Sequence, residues 1–259
     1  MKLFSSGKPL IGVVHLRPLP GAPGDGPGLE AVLERAEEDL VALSEGGADA
    51  AIVENFGDSP FAKAAPPETV AAMAIVAHRL RKQSPLPLGI NVLRNDGAAA
   101  LAIAAVAGAS FIRVNVFCGA ALSDSGWIEG EARRLHRLRR RLSAEIAIFA
   151  DVHVKHAAHL NSLEEAARDA TRNRADALII TGAGTGCPPA GDDLERVKGC
   201  STLPVLVGSG LTEQNVADYR TADGFIVGSA LHSADRLDRP LDRERIRRLS
   251  ELVASLGDA

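Results

Sequence analysis

Short apolar runs rich in β-branched residues alternate with longer amphipathic segments along the whole chain. The short runs read as strands, because a strand covered on both faces is apolar throughout. The longer segments read as helices, with apolar positions recurring every three or four residues. Strands are expected at 10–14 (LIGVV), 49–53 (DAAIV), 87–92 (PLGINV), 110–114 (SFIRV), 146–150 (IAIFA), 176–180 (DALII), 204–207 (PVLV) and 223–227 (DGFIV). Helices are expected at 29–45, 68–82, 96–107, 129–143, 162–173, 191–199, 213–221 and 242–256. Gly46-Gly47 and Gly108 stand where helices should end, and Thr212 stands where one should begin. Eight strand–helix pairs in 259 residues predict an α/β fold, a single (β/α)8 TIM barrel over residues 1–259 with no linker dividing it. A doubly wound open sheet is the alternative. It needs a tight glycine turn after the first strand, which here runs into the long loop HLRPLPGAPG.

Composition narrows the reading. The chain is 46% hydrophobic but only 3% aromatic, so Ala, Val, Leu and Ile must fill its core. A formal charge of −4 gives no electrostatic reason to expect nucleic acid as a partner. The dense run Arg133–Arg141 reads as a solvated helix face. Cys118, Cys187 and Cys200 are odd in number, far apart and without CxxC spacing, which argues against a disulfide framework or a zinc site. The polar stretch Met1–Gly7 does not resemble a secretory signal, and no apolar run is long enough to span a bilayer. A cytoplasmic protein with no integral membrane segment is the expectation, and a homo-oligomer is left open.

A barrel of this kind builds its site at the carboxyl ends of its strands. Those ends carry His15 and Arg17; Glu54, Asn55 and Asp58; Asn91, Arg94, Asn95 and Asp96; Arg113 and Asn115; and Thr181. The fifth strand runs into FADVHVKHAAH, where strand alternation puts Asp151, His153 and Lys155 on one face and Val152 and Val154 on the other. Glu54, Asp151, His153 and Lys155 are the expected catalytic residues, as proton-transfer groups. Glu54, Asp151 and His153 could instead hold a divalent metal (Mg, Mn or Zn), or form a structural network with Arg113 and Lys155. A Schiff base at Lys155 would require burial to lower its pKa; with Asp151 on the same face its charge is expected to be kept. His15, Arg17, Asn91, Arg94, Arg113, Asn115 and Thr181 are the expected substrate-binding residues.

The turns VGSG (207–210) and VGSA (227–230) follow consecutive strands. Gly208, Ser209, Gly210, Gly228 and Ser229 are therefore expected to cradle a phosphate, with a helix beginning at Ser229. The loop GAGTG (182–186) is expected to be a flexible part of the site. Asp49, Asp176 and Asp223 at strand starts read as turn or capping residues. His78, His136 and His232 read as surface residues, and His156 and His159 as loop residues.

At these residues the chain resembles a known family. IGVVHLRPLPGAP, GADAAIVENFGDSPF, PPETVAAM, GINVLRNDGAAALAIAAVAGASFIRVNVF, FADVHVKHA and PVLVGSGLTEQNV are similar to segments of the BtpA family, which includes SgcQ-like proteins, over residues 10–246. The resemblance implies a TIM barrel related to the ribulose-phosphate-binding group. It implies a link of the founding cyanobacterial members to photosystem I assembly at the thylakoid surface, while other members occur in organisms without a photosystem. His15, Arg17, Glu54, Asn55, Asn91, Arg94, Asn95, Asp96, Arg113, Asn115, Asp151, His153, Lys155 and His156 fall in its motifs, but no catalytic role comes with them. No amphipathic helix with a basic face and bulky apolar anchors speaks for membrane attachment.

The leading expectation is an enzyme, an isomerase, lyase or hydrolase, acting on a small phosphorylated, sugar-like metabolite. The alternative is a non-catalytic assembly factor for a membrane complex such as photosystem I. An exposed apolar patch beside an empty barrel mouth would favour that alternative.

Overall fold

In the computed structural model, Phe4 and residues 7–257 are described, Asp235 without its side chain. Most of the polar stretch Met1–Gly7 and both ends of the expected domain lie outside the described residues. In chain order the strands are β1 (Leu10–His15), β2 (Ala50–Glu54), β3 (Leu88–Asn91), β4 (Phe111–Val114), β5 (Ala120–Ser123) and β6 (Gly126–Glu129). They continue with β7 (Ala147–Asp151), β8 (Ala157–His159), β9 (Ala177–Ile180), β10 (Val205–Val207) and β11 (Gly224–Val227). The helices are α1 (Leu29–Glu45), α2 (Pro67–Gln83), α3 (Gly97–Ala107), α4 (Ala132–Arg141), α5 (Leu163–Arg172), α6 (Asp193–Lys198) and α7 (Arg243–Ser255). The strands β1-β11-β10-β9-β7-β4-β3-β2 close into a parallel barrel, and β6-β5-β8 form a separate antiparallel sheet. The open doubly wound alternative is thereby ruled out.

Side-chain alternation divides each barrel strand between two cores. One set, Ile11, Val13, Ala50, Ile52, Phe111, Phe149, Ala177, Ile179, Leu206 and Ile226, forms an apolar cluster inside the barrel. The rings of Phe111 and Phe149 stack 4.7 Å apart there, and Phe4 packs edge-on against both. The other set, among them Leu10, Val14, Val53, Ile90, Ile112 and Ile148, packs outward with helical residues such as Leu40, Leu43, Met73 and Val76.

Three strand-start aspartates act as latches between neighbouring strands. Asp49 accepts the amide of Leu10 at 2.8 Å, Asp176 that of Ile148 at 2.8 Å and Asp223 that of Val205 at 2.9 Å. Each carboxylate satisfies an amide at the start of the preceding barrel strand, the first of β1 and β10 and the second of β7.

Two elements depart from the pattern read in the sequence. The helix expected over 213–221 is only a 3-10 turn, Val216–Tyr219. Asn215 ties this segment up: its Oδ1 accepts the Thr212 amide at 2.8 Å and its Nδ2 donates to the Gly210 carbonyl at 2.9 Å. Side-chain bonds of this kind compete with the helical ladder, and Thr212 makes no cap. The small sheet β6-β5-β8 was not expected at all; its strands are too short and too mixed to show a period. It folds over Val116, Ala121, Ile128 and Val154, a separate small core.

Candidate functional site

Extending the interior periodicity by two residues beyond the apolar cluster places one residue from each barrel strand in a top layer. These are His15, Glu54, Asn91, Arg113, Asp151, Thr181, Gly208 and Gly228. The polar side chains therefore close the barrel interior at its carboxyl end, where β-strand alternation must put them.

Arg113 and Asp151 form the fixed centre of this layer. Arg113 Nε donates to Asp151 Oδ1 and Nη2 to Oδ2, both at 2.9 Å, and Asn115 Nδ2 adds a bond to Oδ2 at 3.0 Å. Asn91 Nδ2 in turn donates to the Arg113 carbonyl at 3.0 Å and to Asn115 Oδ1 at 3.1 Å. Burial works against the Arg113 charge, but the Asp151 carboxylate outweighs it and the guanidinium pKa is raised. A buried bidentate pair of this kind holds its two charges for each other.

Glu54 and Lys155 are left over. Neither side chain makes a hydrogen bond or ion pair with another described residue, and both line a cavity of about 290 Å³ at the barrel mouth. Arg94, Arg113, Asn115, Phe56, Phe61 and Asp124 line it with them. Burial lowers the Lys155 pKa, Arg113 and Arg94 push the same way, and Glu54 and Asp151 oppose. Arg94 is held by Nε to Asp124 at 3.0 Å and lies 5.7 Å from the centre of the Phe61 ring. Asn91, which does not line the cavity, has its Oδ1 buried without a partner.

The face shared by Asp151, His153 and Lys155 does not survive in the structure. Strand β7 ends at Asp151, so strict alternation stops there. The His153 carbonyl is tied to Thr181 Oγ1 at 3.1 Å, and its ring turns away to stack on His159 with centroids 4.1 Å apart. With Leu163, Asp193 and Arg196 it lines an adjoining pocket of about 390 Å³, which shares Val154, Lys155 and His156 with the mouth cavity. Burial and the neighbouring His159 lower its pKa. Val154 instead reaches the 290 Å³ cavity beside Lys155, while Val152 packs outward. The trio Glu54, Asp151 and His153 is accordingly not brought together. Among the described residues no three His, Cys, Asp or Glu side chains gather where they could hold a metal ion.

On the opposite side of the mouth, His15 Nδ1 lies 3.1 Å from His232 Nε2, and His232 Nδ1 lies 2.7 Å from the Arg239 carbonyl. A carbonyl only accepts, which makes His232 Nδ1 a donor and its Nε2 an acceptor in the neutral ring. His15 therefore donates from Nδ1 and keeps Nε2 as a bare acceptor. Burial, His232, Lys155 and Arg113 lower the His15 pKa to about 3, so the ring is neutral. His232, expected at the surface, is completely buried. Its loop folds back over β1 and β11, a tertiary event that a lone histidine in a sequence does not announce. His136 is half-buried and its Nε2 donates to the Asn173 carbonyl at 2.8 Å, whereas His78 is exposed.

The glycine–serine turns are partly committed to the fold. Ser209 Oγ donates to the Cys187 carbonyl at 2.8 Å and accepts the Gly182 amide at 3.0 Å, pinning the loop that contains GAGTG. Gly210 has φ +66°, and a Cβ there would lie 2.1 Å from Pro188 N. A Cβ on Gly208 would meet Ile179 Cγ2 at 2.5 Å. Gly228 makes room for His15, whose Cε1 would lie 2.6 Å from an added Cβ. Ser229 opens a single 3-10 turn, Ser229–Leu231, in place of the expected helix.

Several other strand-end residues turn out to be loop staples. Asn55 Oδ1 accepts the Leu93 amide at 2.7 Å, and Asp58 Oδ1 accepts that of Leu19 at 2.9 Å. Asn95 bonds both backbone groups of Val116, and Asp96 caps α3 through the Ala99 amide at 2.9 Å. Arg17 is exposed and does not line the cavity. Phe56, Phe61 and Asp124 line it without having been singled out, because they lie on loops and on the turn of the small sheet, where no period marks them; Thr185 of the GAGTG loop lines it too.

No helix among the described residues is long and apolar enough to cross a membrane. A protein of Thermococcus kodakarensis described as uncharacterised is 49% identical over 96% of this chain and 96% of its own length. The photosystem I biogenesis protein BtpA of Synechocystis sp. is 45% identical over 97% of this chain and 90% of its own. Among solved structures, thiamine phosphate pyrophosphorylase of Pyrococcus furiosus superposes with a TM-score of 0.60 over 96% of each chain at 16% identity, a likeness of fold. The BtpA family profile matches residues 6–255, and with these relatives it shows that this chain belongs to the BtpA family.

Proposed function

We propose that this BtpA-family barrel is an enzyme acting on a small phosphorylated, sugar-like metabolite at the barrel mouth. The observation that carries the reading is the pair Glu54 and Lys155. A carboxyl and an amine line one cavity and neither has a hydrogen-bond or ion-pair partner among the described residues, while Arg113 and Asp151 beside them satisfy each other. Leaving such groups unpaired costs stability in a mere scaffold, and an acid–base pair poised in a cleft is what proton transfer needs. Arg94, Arg113 and Asn115 would orient substrate oxygens. His15 Nε2 would serve as an acceptor from the opposite wall. With Ser209 committed to the 182–190 loop, the phosphate is assigned to the turn at Gly228 and Ser229, where Ser229 Oγ lies across from Gly186. The first amides of such a turn have no acceptor within it and suit an anion.

The test is thermal shift and calorimetry with a panel of sugar phosphates and their unphosphorylated counterparts. A phosphorylated compound should stabilise the protein where its parent sugar does not. Once turnover is found, Glu54→Gln and Lys155→Met should each lower it about 10²-fold or more. Stabilisation by unphosphorylated sugars alone would sink the reading.

One observation favours a second reading, an assembly factor for a membrane complex. Leu122 and Trp127 face each other across β5 and β6 and are 52% and 42% exposed, an apolar pair beside the mouth. Leu122→Ser with Trp127→Ser should abolish association with a partner complex while leaving ligand binding at the mouth intact.

A further inference from the structure

Lys155 differs in its surroundings from the other described lysines. Lys8 donates to the Arg220 carbonyl, Lys198 is paired with Asp223 at 2.9 Å, and Lys63 and Lys82 are exposed to water. Lys155 is half-buried, lines the mouth cavity and has no hydrogen-bond or ion-pair partner among the described residues. The carboxylate expected to hold its charge, Asp151, has both oxygens taken by Arg113 and Asn115. What remains near the amine is a fixed cation, Arg113, and an uncommitted carboxylate, Glu54, on the cavity wall.

We propose that Lys155 is a nucleophile that forms an imine with a small aldehyde or ketone carrying an anionic group, whose carbonyl oxygen Arg94 and Arg113 orient in the cavity. The proposal rests on the reading of the mouth as an active site and adds the substrate class, a carbonyl compound, and the covalent step. The neutral amine attacks the carbonyl carbon, forming a C–N bond while the carbonyl π electrons move to oxygen. The resulting carbinolamine oxygen takes up a proton, the C–O bond breaks and water departs as the C=N bond forms. The nitrogen loses protons to balance those gained by oxygen, so the step is a dehydration with no redox change. Glu54 is the group placed to pass those protons. Burial and the flanking guanidinium ions favour the neutral amine this step requires. The imine nitrogen, once protonated, draws electrons from the neighbouring carbon, which suits carbon–carbon cleavage or proton abstraction next to the former carbonyl.

Borohydride trapping tests this directly. The intact protein is incubated near neutral pH with dihydroxyacetone phosphate, glyceraldehyde 3-phosphate, pyruvate or glyoxylate, reduced, and mapped by peptide mass spectrometry. In parallel, a 1,3-diketone that condenses only with neutral amines reports on the lysines without any need for the natural substrate. The expected result is an adduct on Lys155 with the mass of the carbonyl compound less one oxygen, and diketone labelling of Lys155 ahead of Lys63 and Lys82. Both should be lost in Lys155→Arg and Lys155→Met, with circular dichroism unchanged. Diketone labelling of Lys155 no faster than that of Lys63 and Lys82 would overturn the proposal. So would a phosphorylated carbonyl compound that binds, by thermal shift, yet leaves Lys155 untrapped; the phosphometabolite reading would then stand alone. Trapping at Lys155 by pyruvate or glyoxylate but by neither sugar phosphate would uphold the imine and overturn the sugar-phosphate reading instead.

Discussion

At the scale of single residues, the barrel mouth separates groups that hold each other from groups that are free. Arg113 and Asp151 belong to the first kind, with side chains 4% and 0% exposed. Asp151→Asn leaves the guanidinium charge buried without its counter-ion and should cost about 3–5 kcal/mol, the usual penalty for breaking a buried pair. Asp238→Asn, which breaks a solvated pair with Arg236, should leave stability nearly unchanged. Urea denaturation of the two variants makes the comparison, and equal losses would show that the mouth pair is not dry. Loss of turnover in Asp151→Asn is therefore not by itself a sign of proton transfer. Gly228→Ala is a second case. Its Cβ would come within 2.6 Å of His15 Cε1, so the imidazole must move or the strand must shift. Overpacking of this kind should cost about 1–3 kcal/mol. The His15 ring resonances should shift with it, and an unperturbed His15 spectrum would refute the contact.

At the scale of elements, the ends matter more than the middles. Helix α5 is opened by a capping box, in which Ser162 Oγ accepts the Glu165 amide at 3.2 Å and Glu165 reaches back to the Ser162 amide at 2.9 Å. Ser162→Ala should lower stability by about 1 kcal/mol, and Ser162→Asp, which can still accept, should restore most of it. Thermal denaturation of both variants distinguishes a lost cap from a lost hydroxyl. The same emphasis on ends explains the outcome at β7. Its alternation places Asp151 in the top layer, and after the Val152 amide makes a last bond to Ile179 the chain leaves the sheet, so Lys155 returns to the cavity on a turn whose His156 has φ +59°. The expected spacing of two residues per step failed for His153 because it extrapolated a strand past its last ladder bond.

At the scale of the whole molecule, the buried histidines couple the site to stability. His15 stays neutral in the folded protein down to about pH 3, whereas in the unfolded chain it takes up a proton near 6.5. His153 and His232 are lowered by burial as well and act in the same direction. Below pH 6.5 the unfolded chain binds more protons than the folded one, so stability is full above that value and falls as the pH drops towards 3. Urea midpoints between pH 7 and about pH 5, above the ordinary carboxylate range, should decline in the native protein. They should decline less steeply in His15→Gln, and an identical slope would mean that His15 is already solvated.

The period of apolar residues determined the architecture almost completely. All eight barrel strands lie within two residues of their expected bounds, because a strand flanked by helices must be apolar on both faces and each such run is short and separate. The same period determined which residues reach the top layer: His15, Glu54, Asn91, Arg113, Asp151 and Thr181 each continue the inward register of their strand. What that register could not determine is which of these polar groups neutralise one another. Arg113 meets Asp151 only because β4 and β7 are neighbours, although 38 residues separate the two in the chain. His15 meets His232 across 217 residues, and Ser209 is spent on the Cys187 carbonyl 22 residues away. Periodicity is a local property fixed by backbone geometry, whereas pairing depends on which strands the closed barrel makes adjacent and where loops fold back. The strand-borne residues of the mouth were therefore decided along the chain, whereas its loop-borne lining and the assignment of Glu54 and Lys155 as its uncommitted groups were decided only in three dimensions.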